Sequence, residues 1–234
     1  MELAPTASVL IDLLKGPEEI FSEMNATVRK HIRRSQHSGV TVREGTNSDL
    51  GTFYRLLCAT ANRRGFSPPS SSYFSEVWRV FAPGGHLKLF VAEISGEPLS
   101  ALLAIAFANI VTSWRIGWSG KQAAMHPNEA LYWAALRWAK SREYRYFDFG
   151  GIHRALAKRI LAGEPRGDSE ENKMDFFKLG FGGGVKLFPE ACGYVYNPVL
   201  RWAWPPTAEA MTKFRPLRDL VHRIAALGSR QRGA

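Results

Sequence analysis

The chain is short of three things, and each shortage narrows what it can be. Cysteine is nearly absent: Cys58 and Cys192 are the only two in 234 residues. They lie far apart with neither zinc-site nor redox-dithiol spacing, so they read as buried free thiols of a protein kept in a reducing cytoplasm. Long apolar runs are missing too. The longest, Leu99 to Val111, is broken by Ser100 and Asn109 and is too short to span a bilayer. Met1-Glu2-Leu3 opens with an acid where a secretory signal carries positive charge, so a protein without a transmembrane segment is expected. Acidic charge is the third shortage, with 21 Asp and Glu against 31 Lys and Arg and a net charge of +10. The excess is uneven: Met24 to Arg43 holds five basic residues and no acid, and from Arg201 onward seven face two acids. Both ends are candidates to meet nucleic acid, anionic lipid or another polyanion, and charge alone does not choose among them.

Familiar catalytic sets are also lacking. No Ser-His-Asp arrangement or carboxylate pair stands out, no internal repeat is visible, and His126 and His153 have no metal-ligand spacing, so neither is given a role and no metal is expected. What is present is a pair of glycine blocks. Tyr146-Phe-Asp-Phe-Gly-Gly-Ile152 is answered by Phe176-Phe-Lys-Leu-Gly-Phe-Gly-Gly183. Each joins strand-forming aromatics to glycines that permit tight turns and close backbone approach, and the second sets one lysine among apolar residues.

The periodicity around these blocks gives the element order. Ser8 to Leu13 reads as a strand, followed by one helix from Pro17 to Ser38 with Ile20, Met24, Val28 and Ile32 at every fourth position and Gly39 as its C-terminal cap. Val40 to Glu44 is a strand. Thr46-Asn-Ser-Asp49 caps a helix carrying Leu50, Phe53, Tyr54, Leu57 and Cys58, and Pro68-Pro69 with the following serines starts another through Phe74, Val77 and Val80. A meander of His86–Ile94, Pro98–Ala108 and Ile110–Ser119 follows. Asn128 caps a helix through Leu131, Ala135 and Trp138, leading into a strand at Tyr146–Phe149. His153 to Glu171, interrupted by Gly163, Pro165 and Gly167, reads as a mobile loop or lid. Strands near Gly184–Phe188 and Gly193–Tyr196 precede a basic helical tail from Thr207 to Leu227. This order matches an α/β fold with the mixed central sheet of GNAT-like acyltransferases, flanked by helices.

Phe-Asp-Phe-Gly-Gly followed by Phe-Lys-x-x-Phe-Gly-Gly resembles the FemABX family of aminoacyl-tRNA-dependent peptidyltransferases. Arg29-Lys-His-Ile-Arg33 with Gly39-Val40 resembles that family's basic linker helix, and Pro127, Leu131-Tyr-Trp133 and Trp138-Ala139 its proline-led helix. The resemblance covers about residues 8 to 200. Family members of usual length have two GNAT-like lobes, so it implies that residues 1–39 are a strand and linker helix left from a first lobe, 40–200 the GNAT-like domain, and 201–234 a basic tail. The chain would then be a naturally reduced member, an excised fragment, or a protein whose missing lobe is supplied by a partner or by a homodimer.

The resemblance implies an enzyme that moves an amino acid from aminoacyl-tRNA, as co-substrate and with no cofactor, onto an amine of a peptide or cell-wall precursor. Such an ester is already activated, so orientation and charge can suffice. Phe177 and Lys178 would attend the aminoacyl end, the lysine facing an oxyanion or the terminal phosphate; the alternative is a snorkelling surface lysine. Asp148 points away from the face of Phe147 and Phe149, either toward an acceptor amine or into a structural hydrogen bond. Gly150, Gly151, Gly182 and Gly183 either admit a substrate to the backbone or close strand ends. Arg29 and Arg33 are candidates for phosphates, or solvated charges of a helix face. Trp114 and Trp118 are candidates for base stacking, or core, and Arg215, Arg218 and Arg223 for gripping tRNA. An acyl-CoA-dependent GNAT enzyme is an alternative, disfavoured because the connection Gly120-Lys-Gln-Ala-Ala-Met-His-Pro-Asn128 holds a single glycine where a pyrophosphate loop is glycine-rich. A non-catalytic RNA- or partner-binding remnant is the other.

Overall fold

Alternating apolar residues between Leu87 and Trp118 fold as the expected meander: β3 (Leu87–Ile94), β4 (Glu97–Phe107) and β5 (Ile110–Trp118) pair antiparallel in sequence. The computed structural model describes residues 5–164 and 173–189, all within one unit, Pro5–Pro189. Cys192, the strand expected at Gly193–Tyr196 and the tail with Arg215, Arg218 and Arg223 lie outside the described residues.

Around the meander, β1 (Ala7–Asp12), β2 (Thr41–Gly45), β6 (Tyr146–Gly151) and β7 (Gly184–Leu187) complete a seven-stranded sheet in the order β2-β3-β4-β5-β6-β1-β7. The N-terminal strand is thus an interior strand, antiparallel to both β6 and β7. Only β5 and β6 run parallel, and their ladder is confined to Ile110–Thr112 against Tyr146–Asp148. Beyond Thr112 the two strands lose their hydrogen-bonded register.

Helices cover both faces. On one side α3 (Leu50–Arg64) and α4 (Ser71–Phe81) pack Phe53, Leu57 and Phe74 onto Leu87, Leu89, Val91, Ala101 and Leu103. On the other, α1 (Pro17–Glu23), α2 (Ala26–His37) and α5 (Pro127–Ser141) set Ile20, Val28, Ile32 and Leu131 against the alternate residues Phe90, Ala92, Leu102 and Ala104. The same side takes α6 (Arg154–Leu161) and α7 (Lys173–Leu179). The period-two split of β3 and β4 between two cores is what a sheet covered on both faces requires.

Four expectations need correction. The helix from Pro17 to Ser38 is two helices, because Met24 and Asn25 are extended and the Asn25 side chain accepts the Val28 N–H at 2.7 Å as a new N-cap. The apolar stripe survives the break, with Ile20, Met24, Val28 and Ile32 all buried. Asn128 is not a cap: proline at the first helical position starts α5 at Pro127, and Asn128 instead accepts a hydrogen bond from Ser100 Oγ at 2.6 Å. The loop expected from His153 contains α6, which buries Leu156 and Ala157. Cys58 is a free thiol as expected, but half-buried.

Candidate functional site

Where β5 leaves β6, the space between them is floored by Tyr132 of α5. Its ring is fully buried and its hydroxyl lies 3.1 Å from Ser113 Oγ, and burial pushes the phenol's pKa above its ordinary value. Above it opens a cavity of about 710 Å³ whose wall includes Arg63, Arg64, Trp114, Trp118, Tyr132 and Phe177. The arginines come from the last turn of α3, the tryptophans from β5 and the phenylalanine from α7. Tyr132, Phe149, Phe177 and Phe181 form one aromatic cluster with ring centroids 4.9–5.6 Å apart, which fixes the cavity floor.

The tryptophans are held rather than loose. Arg63 lies over the Trp118 ring at 4.9 Å and donates to the Trp118 carbonyl, while Trp118 Nε1–H donates to the Lys121 oxygen at 3.2 Å. Arg115 lies over Trp114 at 5.1 Å, and the Trp114 and Phe74 ring centroids are 5.9 Å apart. Both indoles are half-buried, so each combines packing with an exposed part in the cavity.

The two glycine blocks meet through Lys178. Its ammonium donates to the Gly151 carbonyl and lies 3.5 Å from the Gly150 oxygen, at the end of β6. Burial pulls its pKa below that of an ordinary lysine, a shift opposed by the charges of Asp175 and Asp148. The snorkelling alternative fails, since the side chain turns inward to two carbonyls. Phe177 lines the cavity; Lys178, about 100° further round α7, reaches the β6 terminus instead.

Asp148 is engaged in structure. Its Oδ1 accepts from the buried Ser8 hydroxyl and from the Gly150 N–H at 2.8 Å, fixing the turn that aims the Gly150 and Gly151 carbonyls. Gly150 has φ +74°, and a Cβ there would stand 3.0 Å from the Ser113 oxygen. Gly182 and Gly183 serve a different place. They line a second cavity of about 940 Å³ with Asp12, Lys15, Glu23 and Tyr146, near the start of β6. A Cβ on Gly183 would sit 2.4 Å from the Leu10 oxygen, so this pair closes α7 and β7 against β1.

Arg29 and Arg33 line neither cavity. Arg29 donates to the carbonyls of Ser22 and Met24, closing the C-terminus of α1, and the exposed Arg33 lies 5.2 Å from the Phe21 ring centroid. Sequence reasoning missed Arg63 and Arg64, whose signal was a pair of adjacent cations closing a helix. It also missed the buried Asp175, which holds His153 through its backbone N–H at 2.9 Å and Nδ1 at 2.6 Å across the α7–α6 junction.

Residues 22–159 match the acetyltransferase (GNAT) domain family. Over 97 residues the chain is 26% identical to the Lipid II:glycine glycyltransferase of Staphylococcus haemolyticus and 24% identical to that of Staphylococcus saprophyticus, in each case 42% of this chain and 23% of the relative. The chain thus matches less than a quarter of the length of either. The crystal structure of FemX superposes with a TM-score of 0.75 at 16% identity, covering 87% of this chain and 65% of that one. The structure of L-PGS from Bacillus licheniformis reaches 0.51 at 12% identity, covering 79% and 58%.

Proposed function

The chain belongs to the acetyltransferase (GNAT) domain family, in its FemABX branch, and on that premise we propose an aminoacyltransferase that takes an amino acid from aminoacyl-tRNA and places it on an amine of a peptide or peptidoglycan precursor. The observation that carries the reading is the Lys178 ammonium, held at the Gly150-Gly151 carbonyls beside the aromatic, arginine-lined cavity.

In the proposed step the acceptor amine attacks the ester carbonyl carbon. The new C–N bond forms, the C–O bond to the terminal ribose breaks, and the proton lost by the amine ends on the released ribose hydroxyl, so no ATP is consumed. Negative charge gathers on the carbonyl oxygen on the way, and a half-buried cation there counts for more than one in water. Asp148 supports this by holding the Gly150 turn and by raising the proton affinity of Lys178. Arg63 and Arg64 supply charge for the phosphates of the tRNA end, and Trp114 and Trp118 supply faces for a base. The glycyl transfer to Lipid II for which the two staphylococcal relatives are named favours a peptidoglycan precursor among amine acceptors.

Acyl-CoA is the weaker donor for a local reason. A pyrophosphate needs free backbone N–H groups between β5 and α5. Here the amides of Met125 and His126 donate back to Gln122 and Ala123, Lys121 N–H donates to Ser119 Oγ, and Pro127 has none to give. Glu129 adds negative charge to the same helix start. The deciding experiment supplies a pool of tRNAs charged with labelled amino acids, with candidate acceptors, with and without ribonuclease. Ribonuclease-sensitive transfer is expected; transfer from acetyl-CoA instead would sink the reading.

A further inference from the structure

His31 and Glu129 are 98 positions apart in sequence, yet α2 and the start of α5 bring them into contact and add His126 to them. The two imidazoles stack, with centroids 3.7 Å apart and planes 9° from parallel. Both turn Nδ1 to the same carboxylate oxygen: Glu129 Oε1 lies 2.9 Å from His31 and 3.7 Å from His126. One donor atom from each residue lies within 4.8 Å of the other two. The side chains are mostly withdrawn from solvent, at 28% exposure for His31, 15% for His126 and 12% for Glu129.

We propose that His31, His126 and Glu129 form a binding site for one divalent ion of the zinc class, with two imidazole nitrogens and one carboxylate oxygen as ligands and a fourth position open to water. The donor set selects the ion. Imidazole suits zinc, cobalt and nickel, whereas magnesium and calcium take oxygen alone and copper(I) takes sulfur. The spacing suits it as well. Bonds of about 2.1 Å in tetrahedral array put neighbouring ligand atoms about 3.4 Å apart. The two N···O separations bracket that figure, and the stacked rings turn out of parallel to bring both nitrogens onto one ion.

Backbone geometry points the same way. His126 holds φ +53°, a left-handed conformation that costs a non-glycine residue free energy. That conformation ends the 3-10 turn Ala123–Met125, where the His126 N–H donates to the Ala123 oxygen, and it sets the ring on His31 one residue ahead of α5. Two cations of α2, Lys30 and Arg34, act on His126 electrostatically, but both are solvent-exposed and their repulsion of an ion is screened. None of the three ligands lines the aromatic cavity. The ion therefore acts as a positioning clamp, fastening α2 to the helix that carries Asn128 and Tyr132 into that cavity.

The test uses untagged full-length protein, stripped with a chelator and titrated with zinc, and with cobalt(II) as a spectroscopic probe. One ion should bind per chain with a dissociation constant of about 10 μM or tighter, the cobalt form should show the visible absorption of four or five coordination, and excess zinc should raise the thermal midpoint. His126→Asn, which tolerates the left-handed backbone, and Glu129→Gln, which keeps the side-chain shape, should each weaken binding by about tenfold or more, and His37→Gln should not. Circular dichroism of each variant establishes that it is folded. A wild type that takes up no zinc below about 100 μM, or folded variants that bind within about twofold of it, would overturn the proposal.

Discussion

Replacing Lys178 by methionine keeps most of the aliphatic stem and removes the ammonium, which separates two consequences. For folding, the Gly151 carbonyl loses a charge-assisted partner, an effect of about 1–3 kcal/mol when a buried acceptor is left unmade. Against that stands relief of the desolvation that already pulls the Lys178 pKa down. These oppose each other, so the net change in unfolding free energy should stay within about 1 kcal/mol. For catalysis nothing offsets the loss. A donor to a developing oxyanion is worth about 2.7–4 kcal/mol, or about 10²–10³ in kcat. Single-turnover transfer from charged tRNA by Lys178→Met should therefore fall by at least about a hundredfold while urea denaturation barely moves.

The pH profile supplies a second arm. With the folded-state pKa lowered below the ordinary 10.5, the ammonium is lost on raising pH earlier than in a free lysine, so the alkaline limb of kcat falls below that value. Lys178→Arg stays charged and should move the limb upward even if its geometry costs rate. The stability sign is opposite. The buried charge destabilises the fold at neutral pH, and that cost fades as pH rises toward 10.5, so wild type should gain on Lys178→Met over the same interval. A Lys178→Met enzyme within threefold of wild type, or an alkaline limb unmoved in Lys178→Arg, refutes the assignment.

Gly183→Ala should destabilise by about 2–4 kcal/mol, because φ is +83° and the new Cβ would lie 2.4 Å from the Leu10 oxygen, whereas Gly184→Ala meets nothing within 4 Å and should stay within about 0.5 kcal/mol in the same urea titration. Asn25→Ala removes the N-cap of α2 and should cost about 1 kcal/mol. Asp49 is held at a pKa of about 2, from 3.8, chiefly by Arg43; since Arg43 is 42% exposed, solvent screening leaves about 1 kcal/mol for Asp49→Asn at pH 7. A lowered carboxylate pKa contributes stability above 3.8 that is lost as pH falls through about 2, so variant and wild type should converge there.

The meander, the start of the Leu50–Arg64 helix and the glycine-flanked β6 were legible because each rests on a local rule: period-two alternation, a Thr46–Asp49 box closing the 3-10 turn that leads into α3, glycines at left-handed positions. The break at Met24-Asn25 was not, because an unbroken four-residue stripe outweighs one asparagine in any reading of periodicity. What fixes the break is tertiary, the Asn25 N–H donating to the Gly180 oxygen at 2.9 Å from the far end of the second glycine block. For the same reason α6 was hidden, its short apolar face of Leu156 and Ala157 being visible as a face only once β1 and β7 lie beneath it.

The site divides along the same line. Lys178 and the first glycine pair were paired by motif, and the fold places the ammonium at those carbonyls, whereas Gly182 and Gly183 line a separate cavity. A glycine motif specifies that backbone passes close to something without saying whether that something is substrate or the chain itself. At Gly183 the answer is Leu10 of β1, and at Gly150 it is Ser113 of β5, the residue that also meets the Tyr132 hydroxyl. The first block therefore turns at the parting of β5 and β6, where its two carbonyls meet the Lys178 ammonium, and the second supplies α7 with the fixed end from which Lys178 reaches them.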